Sequence, residues 1–217
     1  MKIQIPTHFM GKPIKGAMQR ALSREAEKQT TSSLEKIAEK ETQITKDIAE
    51  ICKGYEEFMS WRDRSTKIPT KITDKYKPTA QQILNFSKKL TDYVNLNDFV
   101  DDTSNYLTAL MHSSSDKKFT IDLTELTNKN ILLHFLGYKL QNKILEVNGN
   151  AGSWVGHFAE NSNITINGNA GYSVGWVAEN SKIYVKGKIE SLSVNIGEGT
   201  EIYQFEGNKW DKIYPKK

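Results

Sequence analysis

The feature that most constrains this chain is a 19-residue repeat in its C-terminal half. The segment GNAGSWVG, which begins at Gly149, is followed 19 residues later by GNAGYSVG, and HFAENSNI is followed at the same distance by WVAENSKI. Self-similarity at a fixed period is typical of a solenoid, in which one coil buries its apolar face only against neighbouring coils. The repeat therefore predicts a stack of about four coils.

Apolar columns within the repeat predict the strands of these coils. Residues two apart on a strand point to the same face, so Ile164 and Ile166 share an interior side. Stacking then places each branched aliphatic on its equivalent in the next coil. In the last coil Gln204 stands in register with Val185, and we expect Phe205 to take its place through a one-residue insertion. The columns are Leu145, Ile164, Ile183 and Ile202, and Val147, Ile166 and Val185.

Glycines recur at fixed positions of the repeat. Such positions indicate corners that need positive φ, or places where a side chain would block the next coil. At one corner asparagine alternates with glycine, and these two residue types tolerate the left-handed conformation best. We therefore predict a structural role for Gly149, Gly152, Gly156, Gly168, Gly171, Gly175 and Gly187, and for the corner residues Asn161, Asn180 and Gly199.

The GxxGxxxG pattern of GNAGSWVG and GNAGYSVG resembles a known glycine-rich domain. It is similar to the β-helix shared by the glycine-rich subunit of formylmethanofuran dehydrogenase and the C-terminal domain of the glutamate synthase large subunit. The resemblance covers about residues 119–210. It implies a right-handed parallel β-helix with a structural role, supporting and joining the catalytic parts of a larger complex.

The N-terminal half follows a helical pattern. From Ile14 to Arg64 there is no proline, and apolar residues fall at steps of three and four, with Glu41 at one seam position. A stripe this narrow must pack on another helix. The partner helix belongs to this chain or to a second copy, and the pattern leaves both open. The seam consists of Leu34, Ile37, Ile44, Ile48, Ile51, Tyr55 and Phe58.

The predicted fold class is α+β, with a helical N-terminal half followed by a short right-handed parallel β-helix of about four 19-residue coils. Pro69 and Pro78 bound a polar linker, and Thr79 is the expected N-cap of the next helix. The predicted segments are an N-terminal arm over 1–13, a long amphipathic helix over 14–64, a linker and helical pair over 65–118, and a glycine-rich β-helix with a C-terminal cap over 119–217.

Charge and composition narrow the class of partner. The net charge of +4 arises in residues 1–118, where 20 basic residues face 16 acidic ones. Lysine and glutamate alternate there as on a solvated helix, which argues against nucleic acid binding. No apolar run approaches the ~20 residues of a membrane span. Cys52 is the single cysteine, so no internal disulfide can form and a cytoplasmic location is expected.

The sequence offers no convergent catalytic set. HExxH, CxxC and GxSxG are absent, so we predict no catalytic residue, no metal and no cofactor. Three carboxylates spaced by one coil could draw a cation, or form a solvated row relieved by Lys143 and Lys182. The row is Glu160, Glu179 and Glu198.

Several apolar residues are candidates for an interaction surface. Trp154, Tyr172 and Trp176 lie on the glycine-lined side of the coils, where they either form an outward patch for a protein partner or fill a widened coil. His157 follows Gly156 in a column of aromatic-like residues on a turn, and such a column more often stiffens the surface or meets a partner than transfers protons. With them we count the helical seam residues Ile44, Ile48, Ile51, Tyr55 and Phe58.

These observations favour a non-enzymatic structural or interaction protein. A β-helix scaffold would present a rigid face, and the helical region would mediate oligomerisation or docking to a protein partner. A second hypothesis, implied by the resemblance alone, is an accessory subunit of a redox or amidotransferase-like complex. The least favoured hypothesis is an enzyme acting in the groove of the β-helix.

Overall fold

The computed structural model describes residues 16–60 and 75–215. The predicted arm over 1–13 lies outside these residues, as does Pro69 with the first part of the predicted linker. The chain divides into two compact units, and the boundary falls between Lys46 and Asp47. The predicted fold class is confirmed, because helices precede a largely parallel sheet that forms a β-solenoid.

The first unit contains all but the last residue of the helix α1, Gly16–Asp47, of 32 residues. Five of its hydroxyl side chains donate to the carbonyl four residues earlier, as Thr42 does to Ala38 at 2.8 Å. From residue 23 onward every side chain of α1 is exposed except that of Ile44, which is half-buried. The helix therefore presents Leu34 and Ile37 to solvent, with exposed fractions of 61% and 55%.

The predicted helix over 14–64 is interrupted within the described residues. Ile48 leaves helical geometry, with φ −110° and ψ 3°, and α2 begins at the next residue, Ala49–Met59. The carbonyl of Ile48 still accepts a hydrogen bond from the Cys52 N–H at 2.9 Å. Because Ile48 is only 1% exposed, the interruption coincides with the first seam residue that enters the core of the second unit.

The helices of the second unit enclose an aromatic core. The Tyr55 ring lies 5.4 Å from Phe86 and 5.2 Å from Tyr106, between centroids, and all three are fully buried. Thr79 forms the predicted N-cap, since its hydroxyl accepts from the Gln82 N–H while the Gln82 side chain accepts from the Thr79 N–H. The elements after α2 are α3 (Ala80–Lys88), a 3-10 helix (Leu90–Tyr93) and α4 (Phe99–Ser113).

One six-stranded sheet runs through the solenoid in the order of the sequence. The first five strands pair in parallel, and the sixth is antiparallel to the fifth. A short helix, α5, Thr124–Asn128, follows the first strand. The strands are β1 (Lys118–Asp122), β2 (Ile144–Asn148), β3 (Asn163–Ile166), β4 (Lys182–Val185), β5 (Glu201–Glu206) and β6 (Lys209–Tyr214).

The predicted aliphatic ladder is present in this sheet. Leu145 pairs with Ile164, Ile164 with Ile183, and Ile183 with Ile202, each one repeat further along, and all four side chains are fully buried. The 19-residue offset occurs three times, between β2 and β5. The solenoid therefore has about three regular turns where we expected about four. The first strand is joined through a longer connection, since Phe119 pairs with Leu145.

The second apolar column ends differently from the prediction. Val185 pairs with Gln204, so no inserted residue brings Phe205 into the column. The Gln204 amide instead donates from Nε2 to the Gly187 carbonyl at 3.2 Å, which satisfies a polar side chain at this position. Phe205 lies on β5 opposite Trp210 of β6, and their ring centroids are 5.2 Å apart.

Both ends of the sheet are covered within the second unit. At the start, Ser87 of α3 accepts a hydrogen bond at Oγ from the Asp122 N–H at 2.8 Å. At the end, β6 folds back on β5 and carries Lys209 and Lys212, and charged side chains on an edge strand discourage pairing with another chain. None of the helices in the described ranges has both the length and the apolar character needed to cross a lipid bilayer.

Candidate functional site

The irregular part of each solenoid turn passes through residues in the left-handed backbone region. Trp154 and Phe158 have φ of 67° and 56°. Their equivalents one repeat later, Ser173 and Val177, have φ of 58° and 50°. Main-chain hydrogen bonds join these parts of the turns, such as that from the Phe158 N–H to the Trp176 carbonyl at 3.0 Å. The repeated conformation therefore aligns the side chains of successive turns.

This alignment brings six aromatic rings into one group, which we call the aromatic patch. The His157 ring stacks on Phe158 with centroids 4.3 Å apart, and on Trp176 with centroids 5.0 Å apart. Trp154 lies 4.4 Å from Trp176 and 5.9 Å from Phe135, between centroids. Contact between rings is therefore continuous over three turns. The patch consists of Phe135, Tyr138, Trp154, His157, Phe158 and Trp176.

The aromatic patch lies on the outside of the solenoid. Phe158 is 43% exposed, and the neighbouring Tyr172, whose carbonyl accepts from the Trp154 N–H at 2.8 Å, is 61% exposed. Of the other rings of the patch, four are half-buried and Tyr138 is buried, at 9% exposed, so most of the patch does not fill a widened coil. Of the predicted residues, Trp154, His157 and Trp176 are brought together, and Tyr172 lies beside them. Small aliphatic side chains fill the interior of these turns, namely Val155, Ala159, Val174 and Ala178.

His157 is positioned as a stacking ring. Partial burial lowers its pKa, and the positive charge of Lys139 lowers it further, so the imidazole is neutral near pH 7. Its Nδ1 is buried and makes no hydrogen bond within the described residues. The ring is therefore held by its faces, against Phe158 and Trp176, and not by polar partners.

Two kinds of glycine support these turns. Gly156 and Gly175 have φ of +70° and +81°, and a Cβ at either would lie 2.7–2.8 Å from an isoleucine Cδ1 of the ladder. Gly171 has ordinary φ, but a Cβ there would lie 2.9 Å from the backbone of the preceding turn. Close approach to other residues also characterises Gly149 (with φ +121°), Gly152, Gly168 and Gly187.

The corner after the patch uses the predicted exchange of asparagine for glycine. Asn161, Asn180 and Gly199 have φ of 49°, 46° and 68°. A buried column that the repeat was not expected to contain follows this corner, Ser162, Ser181 and Thr200. In it the Ser162 N–H donates to Ser181 Oγ at 3.2 Å, and the Ser181 N–H to Thr200 Oγ1 at 3.3 Å. Hydroxyl residues at a 19-residue spacing were the available signal.

The carboxylate row Glu160, Glu179 and Glu198 occupies consecutive turns. Glu160 and Glu179 form a parallel bridge, and the Asn180 N–H donates to the Glu198 carbonyl at 2.9 Å. The expected lysine partners are elsewhere: Lys182 pairs with Glu201 at 3.2 Å, and Lys143 donates to the carbonyls of Ser114 and Asp116. No group of three or more metal-binding side chains forms among the described residues.

Most of the predicted helical seam is not available to a partner. Ile48, Ile51, Tyr55 and Phe58 are at most 3% exposed and belong to the core of the second unit. Tyr106 of α4 fixes this arrangement by donating its hydroxyl to the Ile51 carbonyl at 2.7 Å. Of the two alternatives for the seam, a helix of this chain or a second copy, these four residues therefore pack within the chain. Ile44 is half-buried on α1, and Leu34 and Ile37 remain exposed.

A histidine–aspartate pair beside the patch was not foreseen. His134 Nδ1 lies 3.1 Å from Asp101 Oδ1, and both side chains are partly exposed. The ring of His134 lies against Gly152, where a Cβ would collide with it. The pair joins α4 to the first turn of the solenoid, because the His134 N–H also donates to the Val100 carbonyl at 2.8 Å. Nothing in the linear spacing of these residues signals their contact.

Comparison with models of protein families, with curated proteins and with solved structures found no match to this chain. The resemblance of its glycine pattern to the β-helix of formylmethanofuran dehydrogenase and glutamate synthase therefore stays a prediction. The candidate site is defined by its geometry alone, as a partly exposed aromatic patch bordered by a carboxylate row.

Proposed function

We propose that the protein is a non-enzymatic scaffold whose solenoid presents the aromatic patch to a protein partner. The stacked turns fix the backbone, and the contacting rings, five of which are at least partly exposed, form a preorganised surface of the kind that dominates binding energy at interfaces. The exposed apolar side chains of α1, Leu34 and Ile37, form a second region for docking or self-association. With Cys52 as the single cysteine, we place the protein in the cytoplasm.

The observation that carries this proposal is that large rings, one half-buried and one exposed, are held in left-handed backbone. Trp154 and Phe158 adopt left-handed φ values that cost a non-glycine residue about 1 kcal/mol or more each. Glycine or asparagine would fold there more favourably, as at the corner of the same turns. Phe158 is 43% exposed, so burial recovers only part of this cost. Binding to a partner would explain why the chain keeps the rings of Trp154 and Phe158 at positions where they make folding less favourable.

Capture of binding proteins by the full-length chain tests the proposal. The immobilised wild-type protein is compared with Phe158→Asn, which keeps a residue suited to the left-handed backbone and removes the ring. Leu96→Ser is the matched control, because Leu96 is an exposed apolar residue (38%) outside the patch. We expect a protein that is retained by wild type and by Leu96→Ser and lost by Phe158→Asn. Identical recovery by all three would refute the docking role of the patch.

A further inference from the structure

The carboxylate row borders the aromatic patch along its length. Glu160 follows Phe158 by two residues, and Glu179 follows Trp176 by three. The parallel bridge between Glu160 and Glu179 places them one rung apart, and Glu198 is on the next turn. Rungs of a sheet are ~4.8 Å apart, so the row extends about 10 Å beside the rings. The two features therefore form one continuous surface.

No ion pair within the described part of the chain involves the carboxylate row. Glu160 accepts hydrogen bonds from neutral groups only, Gln141 Nε2 at 3.1 Å and Asn161 Nδ2 at 3.4 Å. Glu179 and Glu198 are exposed and form no ion pair with any described residue. One cation lies at the patch itself, where Lys139 Nζ is 5.0 Å from the ring centroid of Tyr138 in the first turn. The surface is therefore aromatic on one side and acidic on the other.

We infer that the partner of this surface is a cationic, extended peptide segment whose arginine or lysine side chains lie over the carboxylate row and whose remaining groups contact the aromatic patch. This inference rests on the proposed docking function of the patch. Arginine fits best, because its guanidinium pairs with carboxylates and stacks on aromatic faces. The charge complementarity also disfavours an acidic partner, since like charges facing each other at an interface oppose binding.

The length of the row sets a spacing for the basic residues of the segment. An extended peptide in the polyproline II conformation has three residues per turn and advances ~3.1 Å per residue, so side chains three positions apart share a face and lie about 9 Å apart. Basic side chains three positions apart can therefore reach Glu160 and Glu198 together. Adjacent basic residues can reach only one end of the row and its middle.

Peptide binding to the full-length chain tests this inference. The probes are fluorescein-labelled hexa-arginine, hexa-glutamate, and two alanine-based peptides with a pair of arginines either adjacent or three positions apart. Binding is followed by fluorescence anisotropy at low and at physiological salt. The test variant is the double substitution Glu179→Gln and Glu198→Gln. The matched control is Glu125→Gln, an exposed carboxylate on α5.

We expect hexa-arginine to bind, salt to weaken it, and the double variant to bind about three- to tenfold more weakly, given the modest strength of exposed ion pairs. Glu125→Gln should bind as wild type, and arginines three apart should bind more tightly than adjacent ones. Absence of saturable hexa-arginine binding, equal binding by the double variant, or equal binding of hexa-glutamate overturns the inference.

The two proposals fail in distinguishable ways. If Phe158→Asn loses a captured protein while the cationic peptides do not bind, the patch is a docking surface and its cationic partner is wrong. If Phe158→Asn captures the same proteins as wild type, the docking function itself is wrong, and the inference that rests on it fails too.

Discussion

The ring of His157 lies parallel to the ring of Trp176, one repeat further along the chain, with planes inclined by 8° and centroids 5.0 Å apart. Tyr138, one repeat before His157, is 5.4 Å from it between centroids. The column of aromatic rings formed by Tyr138, His157 and Trp176 and the interior isoleucine ladder are therefore products of the same 19-residue register. A change that disturbs the register of the strands should disturb both.

Removing a central member of the interior ladder should destabilise the protein strongly. Ile183 is fully buried between Ile164 and Ile202, so Ile183→Ala leaves a cavity and should lower the free energy of unfolding by about 2–5 kcal/mol. Urea denaturation followed by circular dichroism measures this loss. Ile144→Ala is the matched control, because Ile144 is 41% exposed on the same sheet. Equal losses from the two substitutions would contradict the stacked arrangement.

Relieving a strained position in the turns should stabilise the protein. Val177 is β-branched and has φ of 50°, where valine is strongly disfavoured. Val177→Asn should raise the free energy of unfolding by about 0.5–1 kcal/mol, because asparagine tolerates this conformation. Thermal unfolding monitors the gain. Val194→Asn is the control, because Val194 is fully exposed and has no positive φ, and it should have no effect. A comparable gain in stability from Val194→Asn would show that the gain comes from a more polar surface and not from relieved backbone strain.

Steric and conformational demands on glycine can be separated at two positions. Gly171→Ala places a Cβ 2.9 Å from the backbone of the preceding turn and should cost about 2–3 kcal/mol. Gly207 has φ +63°, but a Cβ there would meet no atom within 4 Å, so Gly207→Ala should cost only about 1 kcal/mol. Chemical denaturation of both variants gives the comparison. A smaller loss for Gly171→Ala would show that the turns can separate to accept a methyl group.

The interior ladder and the corners could be predicted because a period in the sequence is also the register of the sheet. Once Ile164 and Ile183 are 19 residues apart in a solenoid, their pairing follows without knowledge of any other element. The exchange of Asn180 for Gly199 likewise reports local backbone conformation directly. Both predictions depended on short-range chemistry that is repeated several times.

The rest of the site depended on contacts that are distant in sequence. The burial of Tyr55 and Phe58 is decided by packing against Phe86 and Tyr106, which a seam pattern does not reveal. The outward position of Phe158 follows from its left-handed φ, which is imposed by the turn and is not preferred by phenylalanine. The one missing turn reflects the longer connection between β1 and β2, which contains α5.

Stability should fall on acidification through pH 6.5 because of His112. This residue of α4 accepts a hydrogen bond at Nε2 from the Gln141 N–H at 3.2 Å, which requires a neutral ring. Burial, and secondarily the charge of Lys143, lower its pKa in the folded protein. Its contribution is therefore complete above the unfolded pKa of about 6.5 and is lost as the pH falls below that value toward the folded pKa.

Urea unfolding at pH 7.5 and 5.5 measures this effect, with His112→Gln as the comparison, since glutamine can accept the same hydrogen bond without titrating. We expect a smaller loss of stability between the two pH values in the variant. Glu201 does not contribute to this difference. Hydrogen bonds from Lys212, Tyr203 and Lys182 lower its pKa to about 2, so its protonation reduces stability only below about pH 4.5. An identical loss in wild type and His112→Gln would show that His112 is not the titrating group.

Truncation at the boundary between the two units should leave the second unit folded, whereas a longer truncation should not. Removing residues 1–46 takes away α1 up to its last residue and keeps Ile48, Tyr55 and Phe58, which are buried in the core of the second unit. Removing residues 1–64 deletes these three side chains and should abolish cooperative unfolding, because each large apolar loss costs about 2–5 kcal/mol. Near-ultraviolet circular dichroism and light scattering report the fold and the molar mass of each chain.

If the exposed Leu34 and Ile37 of α1 mediate self-association, the full chain exceeds its monomer mass of 24.7 kDa and the 1–46 deletion is a folded monomer. A monomer in both cases removes self-association from the role of α1, and an unfolded 1–46 deletion contradicts the independence of the second unit.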